Sequence, residues 1–205
     1  MATLFQSLLF FTIIAFIASL GSAQTEPVLD TDGNPVQVGV DYYVVPPAGN
    51  NTGGGGLGLQ SSGNQTCPLD VVQVLEQNSY GLPLFFQSVN PNEKVVNLGV
   101  DQNVQFNAST ICIMSTVWRL QFQSNEQMNL YYVTTGGVAG NPGRETLSNW
   151  FQVERFEDAY TFVYCPTVCD ICRPVCGNIG VIVENGRRVL GINRSQPLKV
   201  TFKKV

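Results

Sequence analysis

The chain has no histidine among its 205 residues. That absence removes Ser-His-Asp and Cys-His catalysis, histidine-ligated metals and any histidine switch near neutral pH. Charge is scarce too: 13% of residues are Asp, Glu, Lys or Arg, and the net charge is −4. Such a chain offers no basic surface for nucleic acid or an anionic membrane. Carboxylates remain, but no pair of them forms an acid–base constellation, so the sequence points away from an enzyme. Apolar periodicity at i, i+3, i+4 is missing beyond the first 23 residues, so long helices are not expected.

Long apolar runs are confined to one place. Residues 1–23 carry no charged side chain, hold the run Leu8 to Leu20, and end in the small residues Gly21-Ser22-Ala23. This is the pattern of a secretory signal peptide cut before Gln24, and it is short for a spanning helix. The expectation is a secreted, soluble protein whose mature chain, 24–205, forms one domain. Four N-x-[ST] sequons, at Asn50, Asn64, Asn107 and Asn193, are candidate glycan sites in that compartment.

Cysteine, by contrast, is present and clustered. Of six cysteines, Cys165, Cys169, Cys172 and Cys176 fall in one short stretch with spacing C-x3-C-x2-C-x3-C. In an antiparallel hairpin, facing residues have position numbers of constant sum. Cys165 with Cys176 and Cys169 with Cys172 share the same sum, and residues four apart lie on one strand face. The stretch therefore reads as a hairpin-like loop closed by two nested disulfides. The competing reading is a four-thiolate zinc site, which the secreted context and the even cysteine count disfavour. A redox role for the Cys169-Asp-Ile-Cys172 motif lacks a thioredoxin-like βαβ setting.

The rest of the mature chain alternates short runs rich in Val, Ile, Thr, Phe and Tyr with turn clusters, which predicts about a dozen strands and an all-β barrel or sandwich. Expected strands include Asp41–Val45, Leu69–Glu76, Val95–Leu98 and Ile179–Glu184. Asn185-Gly186 marks a hairpin turn. Asn50 to Gly58 reads as a flexible glycine-rich loop, without the following helix or Gly-Lys-[Ser/Thr] that a phosphate site needs. Aromatic–valine pairs at Tyr43-Val44, Val117-Trp118 and Phe162-Val163 recur roughly 60–75 residues apart, a faint threefold repetition.

These residues resemble the plant Kunitz-type (soybean trypsin inhibitor) family. The resemblance is carried by Val28-Leu-Asp-Thr-Asp-Gly-Asn-Pro-Val36, Tyr42-Tyr-Val44, Thr116-Val-Trp118, Gly140-Asn-Pro-Gly143, Ser148-Asn-Trp-Phe151, Phe162-Val-Tyr-Cys-Pro166, Cys176-Gly-Asn-Ile-Gly180 and Pro197-Leu-Lys-Val-Thr-Phe202. The stretch Cys165-Pro-Thr-Val-Cys-Asp-Ile-Cys172 is similar to the miraculin-like branch. The resemblance implies a β-trefoil of twelve strands, six closing a short barrel and six capping it. It also implies the bridges Cys67–Cys112, Cys165–Cys176 and Cys169–Cys172, and neither cofactor nor metal.

It further implies a monomeric inhibitor of serine proteases, active in plant defence and located in the apoplast or a vacuole. Family members present an exposed, substrate-like loop after the first disulfide cysteine. The matching stretch is Val89-Asn90-Pro91-Asn92-Glu93-Lys94-Val95-Val96-Asn97, with Lys94-Val95 as the scissile pair and Lys94 suited to a trypsin-like pocket. Arg144, in the glycine-rich stretch 136–144, is a second basic candidate. One departure stands out. The position of the asparagine that braces this loop in family inhibitors is Val38, whose side chain can form no hydrogen bond. That substitution raises the alternative of a non-inhibitory binding or defence protein on the same scaffold. Miraculin's acid-dependent taste activity, attributed to histidines, is not implied.

Overall fold

Strand formation follows the β-branched and aromatic runs. The computed structural model describes residues 25–49, 53–63, 65–124 and 129–205; the proposed leader and the sequons Asn50 and Asn64 lie outside them. Twelve strands result: β1 Tyr42–Val45, β2 Leu57–Ser62, β3 Gln65–Gln73, β4 Leu84–Ser88, β5 Gln102–Phe106, β6 Arg119–Ser124, β7 Asn129–Thr134, β8 Gln152–Phe156, β9 Ala159–Tyr164, β10 Gly177–Glu184, β11 Arg187–Ile192 and β12 Thr201–Lys204. A single 3-10 turn, Arg144–Asn149, precedes β8.

The pairing closes a β-trefoil. β12 pairs β1, β1 meets β4 at Tyr42–Leu84, and β4 pairs β5. The bridge Gln102–Phe151 carries the ring on to β8, β8 pairs β9, and Tyr160–Val200 returns it to the start of β12. Six strands thus close a barrel. The other six form the hairpins β2–β3, β6–β7 and β10–β11. Their inner strands meet in a triangle through Asp70–Thr134, Tyr132–Gly191 and Val72–Val189. Each successive quartet of strands repeats the same plan, which is the threefold repetition faintly visible in the sequence.

Alternation fills the barrel. Along β4, Leu84, Phe86 and Ser88 are buried while Phe85 and Gln87 turn outward. Trp118 packs against Phe106, Phe151 and Phe162 with ring centroids 6.0, 5.6 and 4.9 Å away. Phe202 lies 5.6 Å from Phe86 and 6.0 Å from Phe162. Tilted and edge-on rings at such distances suit the aromatic quadrupole.

Two elements differ from the sequence expectation. Val95–Leu98 is not a strand: it touches its neighbours through the isolated bridges Gln37–Val95 and Pro27–Asn97. Its partners carry Pro27 and Pro35, which have no N–H to extend a ladder. Conversely, β2 arises in Leu-Gly-Leu-Gln-Ser-Ser, a stretch of low strand propensity, because β3 templates it from Leu57–Gln73 to Ser62–Gln65. The β10–β11 turn is Asn185-Gly186, with φ of 49° and 76°, as a two-residue hairpin with the right twist requires.

Candidate functional site

The cysteine cluster forms a structural clamp. Cys165 is bonded to Cys176 and Cys169 to Cys172, one bridge inside the other, while Cys67 is bonded to Cys112. No thiol is left to bind zinc or to act as a dithiol. The strands entering and leaving the cluster pair as Tyr164–Gly177 and Val163–Asn178, the register that the constant-sum argument requires. A buried carboxylate ties this loop to the barrel. Asp101 Oδ2 accepts hydrogen bonds from the Thr167 N–H and hydroxyl, both 2.7 Å, and Oδ1 accepts one from Gln152 Nε2 at 2.9 Å.

Tyr164 leads into the clamp and donates to Leu147 O at 3.2 Å. Burial, with smaller contributions from Tyr131 and Asp101, pushes its phenol from 10.0 up to about 12. Between those pH values the unfolded chain releases a proton that the folded one retains, so stability is intact below pH 10 and falls above it. Inside that window the loss approaches about 1.4 kcal/mol per pH unit. Urea midpoints measured from pH 9 to 12 are expected to fall more steeply for the wild type than for Tyr164→Phe; parallel curves would contradict the assignment.

The stretch 89–97 is well held, but by contacts unsuited to a scissile bond. Asn90 caps its own turn: Oδ1 accepts from Asn92 N–H at 3.1 Å, and its carbonyl accepts from Glu93 N–H at 3.1 Å. Pro91 and the Lys94 side chain are exposed. The Lys94 carbonyl, however, accepts from Val38 N–H at 3.0 Å. Val95 is bridged to Gln37, and Val96 is wholly buried, with its N–H bonded to Val36 O at 2.8 Å and its carbonyl to Val28 N–H at 2.9 Å. A protease engaging this bond must take the carbonyl into its oxyanion hole. That would first break the Val38 bond and pull Val95 off its bridge. Val38 thus braces the loop with its backbone, and what it braces is the carbonyl that a protease would need.

The connection directly after the strand bearing Cys67 is 74–83, between β3 and β4. Its residues Leu75, Glu76, Gln77, Asn78 and Tyr80 are exposed. Beneath it lies the stretch expected to be flexible. Gly55 N–H donates to Val74 O at 2.8 Å, Gly56 N–H to Ser79 O at 2.8 Å, Val74 N–H to Gly56 O at 2.9 Å, and Gln73 Nε2 to Gly55 O at 3.0 Å. A Cβ on Gly55 would sit 2.5 Å from Ser79 O and closer still to Glu76 O; one on Gly56 would overlap Tyr80 O. The glycines are there for close approach of two backbones. Tyr80 is fixed further by stacking on Tyr43, ring centroids 5.4 Å apart, and by Lys203 Nζ 2.8 Å from its hydroxyl. Sequence reasoning missed this packing because nothing local marks a glycine run as packed.

The remaining candidates are separate. Arg144 is exposed at the start of the 3-10 turn, and its stretch is not loose: Gly140 N–H donates to Asn103 Oδ1 at 2.7 Å and Asn149 Nδ2 to Val138 O at 3.1 Å. Lys94 and the 74–83 loop sit at opposite ends of β4, so the structure does not bring the basic candidates together. Asn107 is exposed and donates to Asp41 Oδ2 at 2.7 Å. Both ends of the Asn193 amide are engaged: Nδ2 donates to Val181 O of β10 at 3.1 Å, and Oδ1 accepts from Ser195 and Gln196 N–H in its own turn.

Comparisons agree with this architecture along its length. Residues 28–204 match the legume Kunitz family, described as trypsin and protease inhibitor. The chain is 39% identical to miraculin of Synsepalum dulcificum over 97% of this chain and 95% of that one. It is 35% identical to Kunitz trypsin inhibitor 5 of Arabidopsis thaliana, covering 96% of each. Among solved structures, the Kunitz-type cysteine protease inhibitor PCPI-3 from potato superposes with a TM-score of 0.76 at 30% identity, over 88% of this chain and 98% of that one. A closed six-stranded barrel, a triangle of hairpins and a sequence match spanning both place the chain in one family: it belongs to the legume-type Kunitz trypsin and protease inhibitors.

Proposed function

We propose that the protein is a secreted protease inhibitor, not an enzyme, and that the 74–83 loop is the surface a protease meets. One observation carries this reading: the loop is exposed, yet its backbone is preset by glycines 54–56, which admit no side chain beneath it. A loop ordered before binding loses little entropy on docking, which is what tight, unproductive occupation of a protease cleft demands. Relatives inhibit trypsin in one case and a cysteine protease in another by their names, so the scaffold suits both classes. All six cysteines are bonded, in keeping with an oxidising, extracellular destination in plant defence. Asn107 is the better placed of the two described sequons to carry a glycan.

The test is a panel of trypsin, chymotrypsin, subtilisin and papain titrated with the mature protein. Gly55→Ala, which must lift the loop from its cradle, is expected to weaken inhibition by about tenfold to a hundredfold. Lys94→Ala is expected to change it less than about twofold, because its bond is not presented. Loss of inhibition in Lys94→Ala with none in Gly55→Ala would refute this loop assignment. The engaged Lys94 carbonyl also favours a second reading, a non-inhibitory binding protein; inhibition of none of the four enzymes, with rapid cleavage at any loop, would establish it.

A further inference from the structure

We propose that the groove between the 3-10 turn and the cysteine clamp binds a linear polysaccharide whose sugars carry carboxylates. The inference does not depend on the inhibitor reading, and it uses a different part of the fold.

Arg144, at the start of the turn, and Arg173, in the clamp, line one open groove of about 500 Å³ together with Leu147, Ile171 and Cys172. Both arginines are exposed, and among the described residues neither forms an ion pair. The groove beside Phe156 and Pro197 differs: its Lys199 is paired with Glu157 and Asp158, and its Arg188 is bonded to Gln73. In a chain of net charge −4, two guanidiniums lining one groove with no carboxylate among the lining residues make a local site for anions. Glu145 and Asp170 are neighbours in sequence but do not line it.

The two walls are tied to each other. Tyr164, at the head of the clamp, reaches across to Leu147 O in the turn. Within the turn, Trp150 Nε1 donates to Thr146 Oγ1 at 3.1 Å, and Thr146 Oγ1 donates to Asn141 O at 2.7 Å. On the other side, the Cys169–Cys172 bridge and the Asp101 bonds to Thr167 hold the clamp. Arg173 is oriented as well: Nη1 donates to Cys172 O at 3.0 Å, while Nε and Nη2 have no partner among the described residues. A fork fixed at one corner and open at the other gives up little freedom when it meets a carboxylate.

The lining selects among anions. A peptide brings N–H groups that need acceptors, and the carbonyls around this groove are already engaged: Leu147 O by Tyr164, Asp170 O and Cys172 O by Arg173, and Cys169 O by the Cys172 N–H at 3.2 Å. A nucleic acid needs a run of phosphate contacts that two cations do not supply. A chain of acid sugars asks for less. Its carboxylates meet the guanidiniums, its C–H faces pack on Leu147 and on Ile171, which is 80% exposed, and its hydroxyls stay in water. Two cations in one groove call for carboxylates on more than one sugar, hence a chain and not a single acid.

The test measures calorimetrically how polygalacturonate oligomers bind the mature protein, the variant Arg144→Gln/Arg173→Gln, and the charge-matched control Lys94→Gln/Lys204→Gln. All four positions are exposed, and thermal midpoints equal to the wild type check that the variants are folded. The wild type is expected to bind, and to bind more weakly as sodium chloride rises from about 20 to about 200 mM. Fully methyl-esterified oligomers are expected not to bind. The arginine variant is expected to lose about tenfold in affinity and the lysine control less than about twofold. Absence of binding by the wild type at the lower salt would overturn the proposal. So would an equal loss in the lysine control, which would assign the effect to net charge. Polyglutamate or single-stranded DNA bound as tightly as polygalacturonate would show that any polyanion suffices, and would likewise overturn it. None of these outcomes bears on protease inhibition, so this proposal and the inhibitor reading stand or fall separately.

Discussion

Arg187→Ala is expected to cost about 3–5 kcal/mol of folding stability, because it strands a carboxylate in the interior. Asp70 sits on β3 where the three hairpins meet, opposite Thr134, with its side chain 3% exposed. Arg187, 14% exposed, reaches it from β11. Nη1 donates to Asp70 Oδ2 at 2.7 Å and to Ser61 O at 3.0 Å, and Nη2 donates to Glu184 Oε2 at 3.2 Å. Asp70 Oδ1 has no hydrogen-bond partner among the described residues, so the arginine supplies most of what solvates this carboxylate. Removing the guanidinium leaves the desolvation cost and takes away what offset it. The pair itself need not be strongly stabilising: Asp70→Leu combined with Arg187→Met is expected to recover most of the loss. Urea unfolding of the two single variants and the double one measures this as a coupling energy. A cost below about 1 kcal/mol for Arg187→Ala would show that water reaches Asp70 and that the site behaves as a surface pair.

Some of this architecture was legible because it depends on neighbours in sequence. Asn185-Gly186 announces its hairpin through φ preferences of two adjacent residues. The cysteine cluster announces its register because pairing numbers in a hairpin have a constant sum, and Tyr164–Gly177 keeps that sum. The alternation in β4 is likewise local. What stayed hidden depends on partners distant in the chain. A run such as Gly53 to Gly56 looks the same whether it moves freely or is pressed against another backbone; only the carbonyls of Glu76, Ser79 and Tyr80 distinguish the two. Asp101 and Asn103 read as ordinary polar residues, yet each is buried and fastens a loop. Lys94 is a related case. A sequence displays a basic side chain suited to a specificity pocket but not the fate of its carbonyl, and a scissile bond is defined by the carbonyl.

The three disulfides are expected to differ in worth according to the chain each closes. Cys67–Cys112 spans 45 positions, Cys165–Cys176 spans 11 and Cys169–Cys172 spans 3. Loop-closure entropy then assigns about 4, about 3 and about 1.5 kcal/mol respectively. Against a total stability of about 5–15 kcal/mol for a domain, loss of the first bridge alone is a large fraction. It also joins the first quartet of strands to a loop of the second, where the side chains of Ile111 and Ile113 are exposed rather than packed in the core. The paired variant Cys67→Ala/Cys112→Ala should therefore show the lowest guanidinium midpoint of the three double variants, and Cys169→Ala/Cys172→Ala a midpoint nearest the wild type. The nested bridge has another reason to cost little: with Cys165–Cys176 intact, its four residues are already confined, and Thr167 remains bonded to Asp101. Should Cys169→Ala/Cys172→Ala be the most damaging, stabilisation by the clamp would have to come from native contacts around Ile171 and Arg173 rather than from restriction of the unfolded chain, and the ranking by loop length would be wrong for this fold.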